Sequence, residues 1–475
     1  MLLYALQKAG AALTAENSAY AIFALILSSA SVVLGLLWTA PGSTTRRQLR
    51  NLQRVKPSKR NMDDQYDGKY AIPEGSSTDG PVRIKAIFIH PVKSCGPVEL
   101  DRAVVTKAGL LYDRCFSFAV DSDDKRSDDA CKLQFISQRT KPKMSLIQTE
   151  LWLPHENSSD VDPLVHAGGA VRLTFPDPDT PSLTQRLQAS IEQMKWGATP
   201  QYSFIVPLSP TIRYLRESEL KPKAFTIHYR EAHGIDMGRI TAIAAAIPKL
   251  KKLLGYSEDR LLTLFKCTPD TLTRTDKNLA PLANIGSRAV HGYTDQQPIH
   301  INSVPSVQAV SRMLPRENQP LNALRFRANL WIAGAPAYDE ESWKRCRIVA
   351  PRGAPAPRVT GGQDSTLATT LSVVCRTSRC TMPNVDPAQG TFSSQRPAEG
   401  KKRGLPQPST ALVAYRTVED GNRAALGYLG MHAVPEDRDL NAARSQQAHL
   451  VVCVGDEIEV LERGDHLYGS TGDLY

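Results

Sequence analysis

The sequence holds eight cysteines, yet no two of them form a C-x2-C pair. They stand at 95, 115, 131, 267, 346, 375, 380 and 453, spread along 475 residues. This is not the dense framework of a small secreted scaffold, and it suits a reducing compartment. None of the ten histidines falls in an H-E-x-x-H or C-x2-C…H-x3-H pattern, which excludes those kinds of zinc site. A C-x4-C-x2-C run for a plant-type iron–sulfur cluster is missing, as are a haem-attachment motif and a dinucleotide fingerprint, so no fused reductase module is expected. The formal charge is +10, but no basic patch is interleaved with aromatics, and nucleic acid is not an expected partner.

The positive charge is partly local, with Arg46, Arg47, Arg50, Arg54, Lys56, Lys59 and Arg60 in one short stretch. That stretch follows the longest uncharged run, Tyr20–Ala40, "YAIFALILSSASVVLGLLWTA". The run matches the ~20 residues a helix needs to cross a bilayer and predicts a single membrane anchor after a short segment 1–19. A basic flank stays on the cytosolic side, so the large C-terminal part is expected in the cytosol. Residues 41–80, polar and ending in "PEGSSTDGP", read as a tether.

A folded region begins near Val82, and with 41% hydrophobic residues the chain is long enough for two or three domains. "VRIKAIFIHPV", "AVVTKAGLLYDRCFSFAVD" and "LQFISQ" alternate as strands do, "GRITAIAAAIPKLKKLLGYS" has helical spacing despite Pro248, and "RLLTLFKC" is another strand. After Asp295, "PIHINS" predicts a strand and "SVPSVQAVSRML" a helix capped by Ser303 or Ser306. "RFRANLWIAG" reads as a strand, and "HLVVCVGDEIEVLER" as two strands about a Gly-Asp turn. The compositionally biased stretches in 351–370 and 392–410 read as surface insertions. The fold class is therefore mainly β (α+β).

Four local patterns combine chemistry-bearing residues: "HPVKSCG" (90–96), "GLLYDRCF" (109–116), "RFRAN" (325–329) and "SRCTMPNVDP" (378–387). Singly each is weak; Lys-Ser-Cys is commonly a solvated turn, and Arg325 with Arg327 on one strand face is commonly an ion-paired edge. The two cysteines of "VVCRTSRC" leave three roles open: structural thiol, disulfide half or metal ligand. In their order and spacing the four patterns resemble the MOSC family, named for the C-terminal domain of molybdenum cofactor sulfurase, and within it the membrane-anchored mitochondrial amidoxime-reducing components. The resemblance runs from Val82 to Glu462 and is thin over 150–235.

That resemblance implies an N-terminal MOSC-type β-barrel domain (81–268) packed on a second MOSC barrel (275–475), with molybdenum cofactor (molybdopterin carrying Mo) between them. It makes Cys380 the thiolate ligand of molybdenum and the catalytic centre, while Cys375 is structural. A disulfide in so small a loop is not expected in the cytosol. A thiolate is a soft ligand, and Arg376 and Arg379 are expected to supply positive charge beside it. Lys93, Ser94, Arg114, Arg327 and Asn329 match family positions on pterin or phosphate, and guanidinium forks and ammonium groups suit such anions. Arg139, beside Gln138, is a looser match; Thr377 and Ser378 offer hydroxyl or backbone donors, and Asp386 is suited to fixing the turn after the cysteine. The family's usual proline before Asn329 is Ala328 here.

The implied activity is reduction of N-hydroxylated small molecules, amidoximes or hydroxylamines, with electrons from a cytochrome b5-like haem protein and its flavin reductase. The implied location is the mitochondrial outer membrane, with the endoplasmic reticulum as the alternative. The rival function is a molybdenum-cofactor binding, carrier or sulfur-transfer module without turnover; a third reading is a scaffold that has lost catalysis. A sulfurase proper would need a pyridoxal-phosphate lyase domain, for which the 80 residues of anchor and tether leave no room.

Overall fold

The computed structural model describes residues 41–68, 80–122, 133–155, 162–217, 219–228, 230–275, 279–351, 367–392, 406–419 and 426–466, with a few isolated positions elsewhere. Most of Tyr20–Ala40 lies outside the described residues, and among those described no helix is long and apolar enough to cross a membrane. Most of the two surface insertions also falls outside them. Met1–Arg50 and Pro176–Ser203 make one compact unit, and Asn51–Phe175 with Phe204–Tyr475 make a second. In the first unit helices span Pro41–Gln48 and Leu183–Glu192. The latter opens with a capping box: Ser182 Oγ accepts from Gln185 N, and Gln185 Oε1 accepts from Ser182 N.

The second unit is mainly β and holds two closed barrels. One is a ring of Pro222–Ile227, Arg230–Asp236, Leu262–Lys266, Phe116–Asp121 and Leu133–Phe135, closed by a parallel pairing of Thr226 with Gln134. Its core packs Ala119, Leu133, Phe225, Ile227, Ala232 and Phe265 around Tyr293. Phe225 stacks on Phe265 with centroids 4.2 Å apart and meets Tyr293 edge-on at 5.3 Å. The predicted helix forms at Thr241–Leu254 with Pro248 inside, and Gly255 ends it in the left-handed conformation.

The other barrel runs Leu330–Ala333, Ile299–Ser303, Gly427–Pro435, Thr369–Arg379, Trp343–Val349, Glu457–Arg463 and Arg83–Ile89, and returns to Leu330–Ala333. Strand Arg83–Ile89 thus comes from the start of the folded region yet closes a barrel otherwise built from residues beyond 298. Helix Val304–Met313 connects its parallel pair, Ile299–Ser303 and Leu330–Ala333. Val304, Val307, Val310 and Leu314, at helical spacing, pack with Phe88, Phe326, Trp331 and Leu429 in one buried cluster.

Three expectations change. "RFRANLWIAG" is a strand only over Leu330–Ala333; Ala323–Phe326 is a 3-10 turn capped by Asn322 Oδ1 on Leu324 N, and Arg327 then takes φ 55°. Ser303 stands at the N-cap of helix Val304–Met313 without a side-chain cap bond, and Ser306 Oγ donates to Glu340 instead. Most of what read as tether is part of the fold. Leu52–Arg54 pairs with Gln148–Pro154, and Met62 joins the buried cluster. Gln65 Oε1 accepts from Ala323 N at 2.7 Å, and Lys85 Nζ pairs with Asp64 at 2.7 Å.

Candidate functional site

A cavity of about 270 Å³ is lined by residues of both barrels and gathers the nine residues expected to hold the cofactor or its metal: Lys93, Ser94, Arg114, Arg139, Arg327, Asn329, Thr377, Ser378 and Cys380. The backbone that presents them is unusual. Nine described non-glycine residues have positive φ, and four of these, Ser94, Arg114, His228 and Arg327, line this cavity. Each such conformation costs roughly 1 kcal/mol and persists because its surroundings fix it. Arg114 N donates to His90 O at 2.9 Å and Arg114 O accepts from Tyr293 N at 2.9 Å; Gln138 Nε2 holds Ser94 O at 2.8 Å.

Electrostatically the lining is lopsided. It contains Lys93, Arg114, Arg139, Arg325, Arg327 and Arg379 against the single carboxylate of Asp295. Lys93 Nζ pairs with Asp295 and donates to Tyr293 O at 2.9 Å. Burial would raise the Asp295 carboxyl, but Lys93 and then His228 outweigh it and hold it well below the usual range. Asp113 shows the same balance: burial opposes ionisation, and Arg114 brings it to about 2. Burial and then the neighbouring Arg114 lower Arg327 to about 10. Arg327 Nη1 donates to Cys95 O at 2.7 Å, while its buried Nη2 has no partner among the described residues; neither has the buried Thr377 Oγ1. A guanidinium with an unanswered, desolvated donor is a fit for an anionic group.

Not every predicted residue is free to touch a ligand. Asn329 Oδ1 accepts from His300 N at 3.1 Å and Arg114 Nη1 at 3.2 Å, and Nδ2 donates to Phe88 O at 3.2 Å. It therefore positions Arg114, whose Nη2 also donates to Arg327 O at 2.8 Å. Arg139 Nη2 lies 2.8 Å from His228 Nδ1. Arg376, expected beside the cysteine, turns the other way into Glu341 at 3.1 Å and Glu419 at 3.4 Å. Residues alternate sides along strand Thr369–Arg379, and Arg379 does face the cavity.

Cys380 follows that strand directly, half-buried, and its Sγ accepts from Met382 N at 3.5 Å. Its loop is braced from below. Arg325 Nη1 donates to Pro383 O at 3.3 Å and Nη2 reaches Asp386 at 3.4 Å, while Asp386 Oδ1 accepts from Ala388 N at 2.9 Å and Gln389 N at 3.2 Å, fixing the turn as its sequence position suggested. Cys375 is buried, and burial pushes its thiol strongly up, as expected of a structural cysteine. Both are free thiols.

The sequence reading missed Asp295, His228, His300 and His432. Arg379 Nη2 lies 2.6 Å from His300 Nε2. A guanidinium cannot accept, so that ring is neutral with its proton on Nδ1; burial and then Arg379 lower its pKa well below the usual value. Gly430, at φ 83°, permits the approach: a Cβ there would meet His300 Nε2 at 2.6 Å. His432 is lowered to about 3, by burial and then Arg379, and its buried Nδ1 has no partner among the described residues. The one signal for these residues in the sequence was the histidine alternating into "PIHINS".

Among the described residues no three His, Cys, Asp or Glu side chains cluster to hold a bare ion. The donor set offered here is one soft sulfur amid hard cationic donors, which fits a metal that arrives with most of its ligands on an anionic organic group. Fold and site together define a double-barrel protein with an anion-collecting cavity around a single thiol. The chain belongs to the MOSC-domain family: residues 81–198 match the MOSC N-terminal beta barrel domain and residues 288–459 the MOSC domain, between them more than half its length. No curated protein matches it. MOSC domains are associated with molybdenum-cofactor-binding proteins.

Proposed function

We propose that this chain is a molybdenum-cofactor oxidoreductase that reduces N-hydroxylated compounds such as amidoximes and hydroxylamines. The observation that carries the reading is the half-buried Cys380 thiol in the same cavity as the unanswered Arg327 Nη2 and a surplus of cationic side chains. Cys380 would be the protein's ligand to molybdenum. Arg327 and Arg114 would hold the anionic tail, with Arg139 and the Lys93–Asp295 pair at the wall and the Thr377 and Ser378 hydroxyls beside the sulfur. The cofactor, when bound, supplies the redox chemistry by which an N–OH compound takes up two electrons and two protons to give the N–H compound and water.

The protein's part is placement. The neutral His300 fixes Arg379 beside Cys380, and Asn329 fixes Arg114, so cationic donors are oriented before any ligand arrives. Electrons would come from a cytochrome b5-like haem protein and its flavin reductase; the charge of +10 favours encounter with an acidic donor. Tyr20–Ala40 would hold the chain in the mitochondrial outer membrane with the barrels in the cytosol.

The test is reduction of a benzamidoxime by the cofactor-loaded chain with cytochrome b5, its reductase and NADH. Turnover that falls to background in Cys380→Ser is expected. A loaded wild-type chain that takes electrons but leaves every N-hydroxylated substrate untouched would move the reading to the carrier function.

A further inference from the structure

The cavity wall holds one side chain to which the proposed chemistry gives no task. His432 stands in strand Gly427–Pro435, paired with His300 on one neighbouring strand and with Cys375 on the other. Cross-strand partners share a face, and the two imidazoles meet there with ring centroids 5.5 Å apart. His432 is only 8% exposed, and it lines the cavity together with Arg327, Thr377 and Cys380. Its ring donates to the backbone at Ile299. Nδ1 is buried and has no partner among the described residues, so the donating nitrogen is Nε2.

The charges around the ring fix what Nδ1 offers. Burial first, then Arg379 and Arg114, oppose a second proton on it, and Asp295 offsets them only in part. The ring is neutral and Nδ1 carries a lone pair. His300 does not answer that lone pair, since its Nε2 faces Arg379 at 2.6 Å and its proton is directed to the Arg327 backbone. Asp295 and Asn329 Oδ1, two other acceptors on the wall, are met from within the fold by Lys93 and by His300 N with Arg114 Nη1. A desolvated lone pair left open is costly, and a donor that arrives with a ligand relieves it. We propose that His432 is a recognition residue of this cavity, its Nδ1 accepting a hydrogen bond from an N–H or O–H group of the bound molecule. Arg327 Nη2 calls for an anionic acceptor and His432 Nδ1 for a neutral donor, so the ligand has to offer both. The proposal rests on reading the cavity as the cofactor and substrate site. Two molecules would bring such a donor there, the pterin ring through N–H and the N-hydroxylated substrate through O–H.

The test compares the full chain, purified with its cofactor from a host that makes it, as wild type, His432→Phe and His432→Asn. Phe keeps a planar ring without an acceptor, whereas Asn places Oδ1 where Nδ1 stood. Pterin release after dilution is timed by the fluorescence of the freed, oxidised pterin, and the KM for benzamidoxime is measured with saturating cytochrome b5 and reductase. Loss of one such hydrogen bond is expected to read as about a tenfold change. If the cofactor supplies the donor, His432→Phe releases pterin about tenfold faster and His432→Asn stays near wild type. If the substrate supplies it, release is unchanged, while KM rises about tenfold in His432→Phe and recovers in His432→Asn. Unchanged release and KM in His432→Phe would overturn the proposal, as would equal impairment of both variants, which marks a packing role. A wild type that holds pterin yet reduces no N-hydroxylated compound overturns the proposed reaction alone, and pterin release then decides the role of His432. A folded wild type without pterin overturns both.

Discussion

Two cysteines five positions apart divide the chemistry of this chain because the strand that carries them ends between them. Cys375 is inside the strand, desolvated and inert; Cys380 is just past its end, where the backbone turns and the thiol reaches the cavity. Arg376 and Arg379 divide in the same way, one to an interior ion-pair cluster and one to the site. Next to that cluster lies Glu340, fully buried, with Oε1 accepting from Ser306 Oγ at 2.8 Å and Oε2 without a partner among the described residues. Burial is the main reason its carboxyl is pushed up to about 7. A folded-state pKa above the unfolded one means the native chain binds more protons in between, so this stability is complete below about pH 4.5 and is lost as pH rises to about 7. Glu340→Gln removes the penalty of ionising the buried group. Urea midpoints at pH 5 and pH 8 should show the variant relieved of much of the wild type's decline, by roughly 1–3 kcal/mol at pH 8. Parallel pH profiles for the two proteins would contradict this.

At the scale of elements, the segment 51–68 behaves as a strap laid over the second barrel. Asn61 N donates to Glu99 Oε1 and Ser58 N to Asp101 Oδ2, both at 2.7 Å, and Gln308 Nε2 holds Gln65 O and Asp67 O at 2.9 Å. Gln65 is the centre of this docking, since its side chain satisfies the buried Ala323 N just before the Arg325–Asn329 stretch. Gln65→Ala strands that donor and should cost about 1–3 kcal/mol, read as a lower urea midpoint, with earlier proteolytic cleavage within 51–68. An unchanged midpoint would mean the strap is not part of the cooperative unit. The segment's polar composition made it read as a tether, because its attachment depends on backbone groups, the polar side chains of Asp64 and Gln65, and two isolated buried apolar residues, Leu52 and Met62, and no periodic pattern announces that.

For the whole molecule, most of the β content was legible in alternating stretches, because residues 83–89, 116–121, 262–266 and 299–303 each contribute to a barrel wall. The ring closures were not legible, since they join strands such as Arg83–Ile89 and Leu330–Ala333 that are far apart in sequence. The site was legible wherever a short motif carried it. All nine residues expected there line one cavity, from "VKSC" at the start of the fold to "SRC" near its end. What escaped was the layer that orients them. Lys93 meets Asp295 only because Tyr293, two residues earlier, is buried in the five-stranded barrel's core, and no local pattern encodes a pairing across 202 positions. Likewise "RFRAN" carried the right residues in the wrong conformation, because alternation does not distinguish a strand from a capped 3-10 turn followed by a left-handed arginine.

On the proposed function, Cys380 would be the protein's bond to molybdenum in a cofactor held between the two barrels. Its direct test is the full chain purified from a host that makes molybdenum cofactor, wild type beside Cys380→Ser, with metal and pterin quantified and the metal's sulfur shell counted by X-ray absorption. Near-stoichiometric molybdenum and pterin are expected in the wild type, and in the variant a loss of metal or a shell one sulfur short. Equal metal with an identical sulfur shell in both, or neither metal nor pterin in a folded wild type, would contradict it.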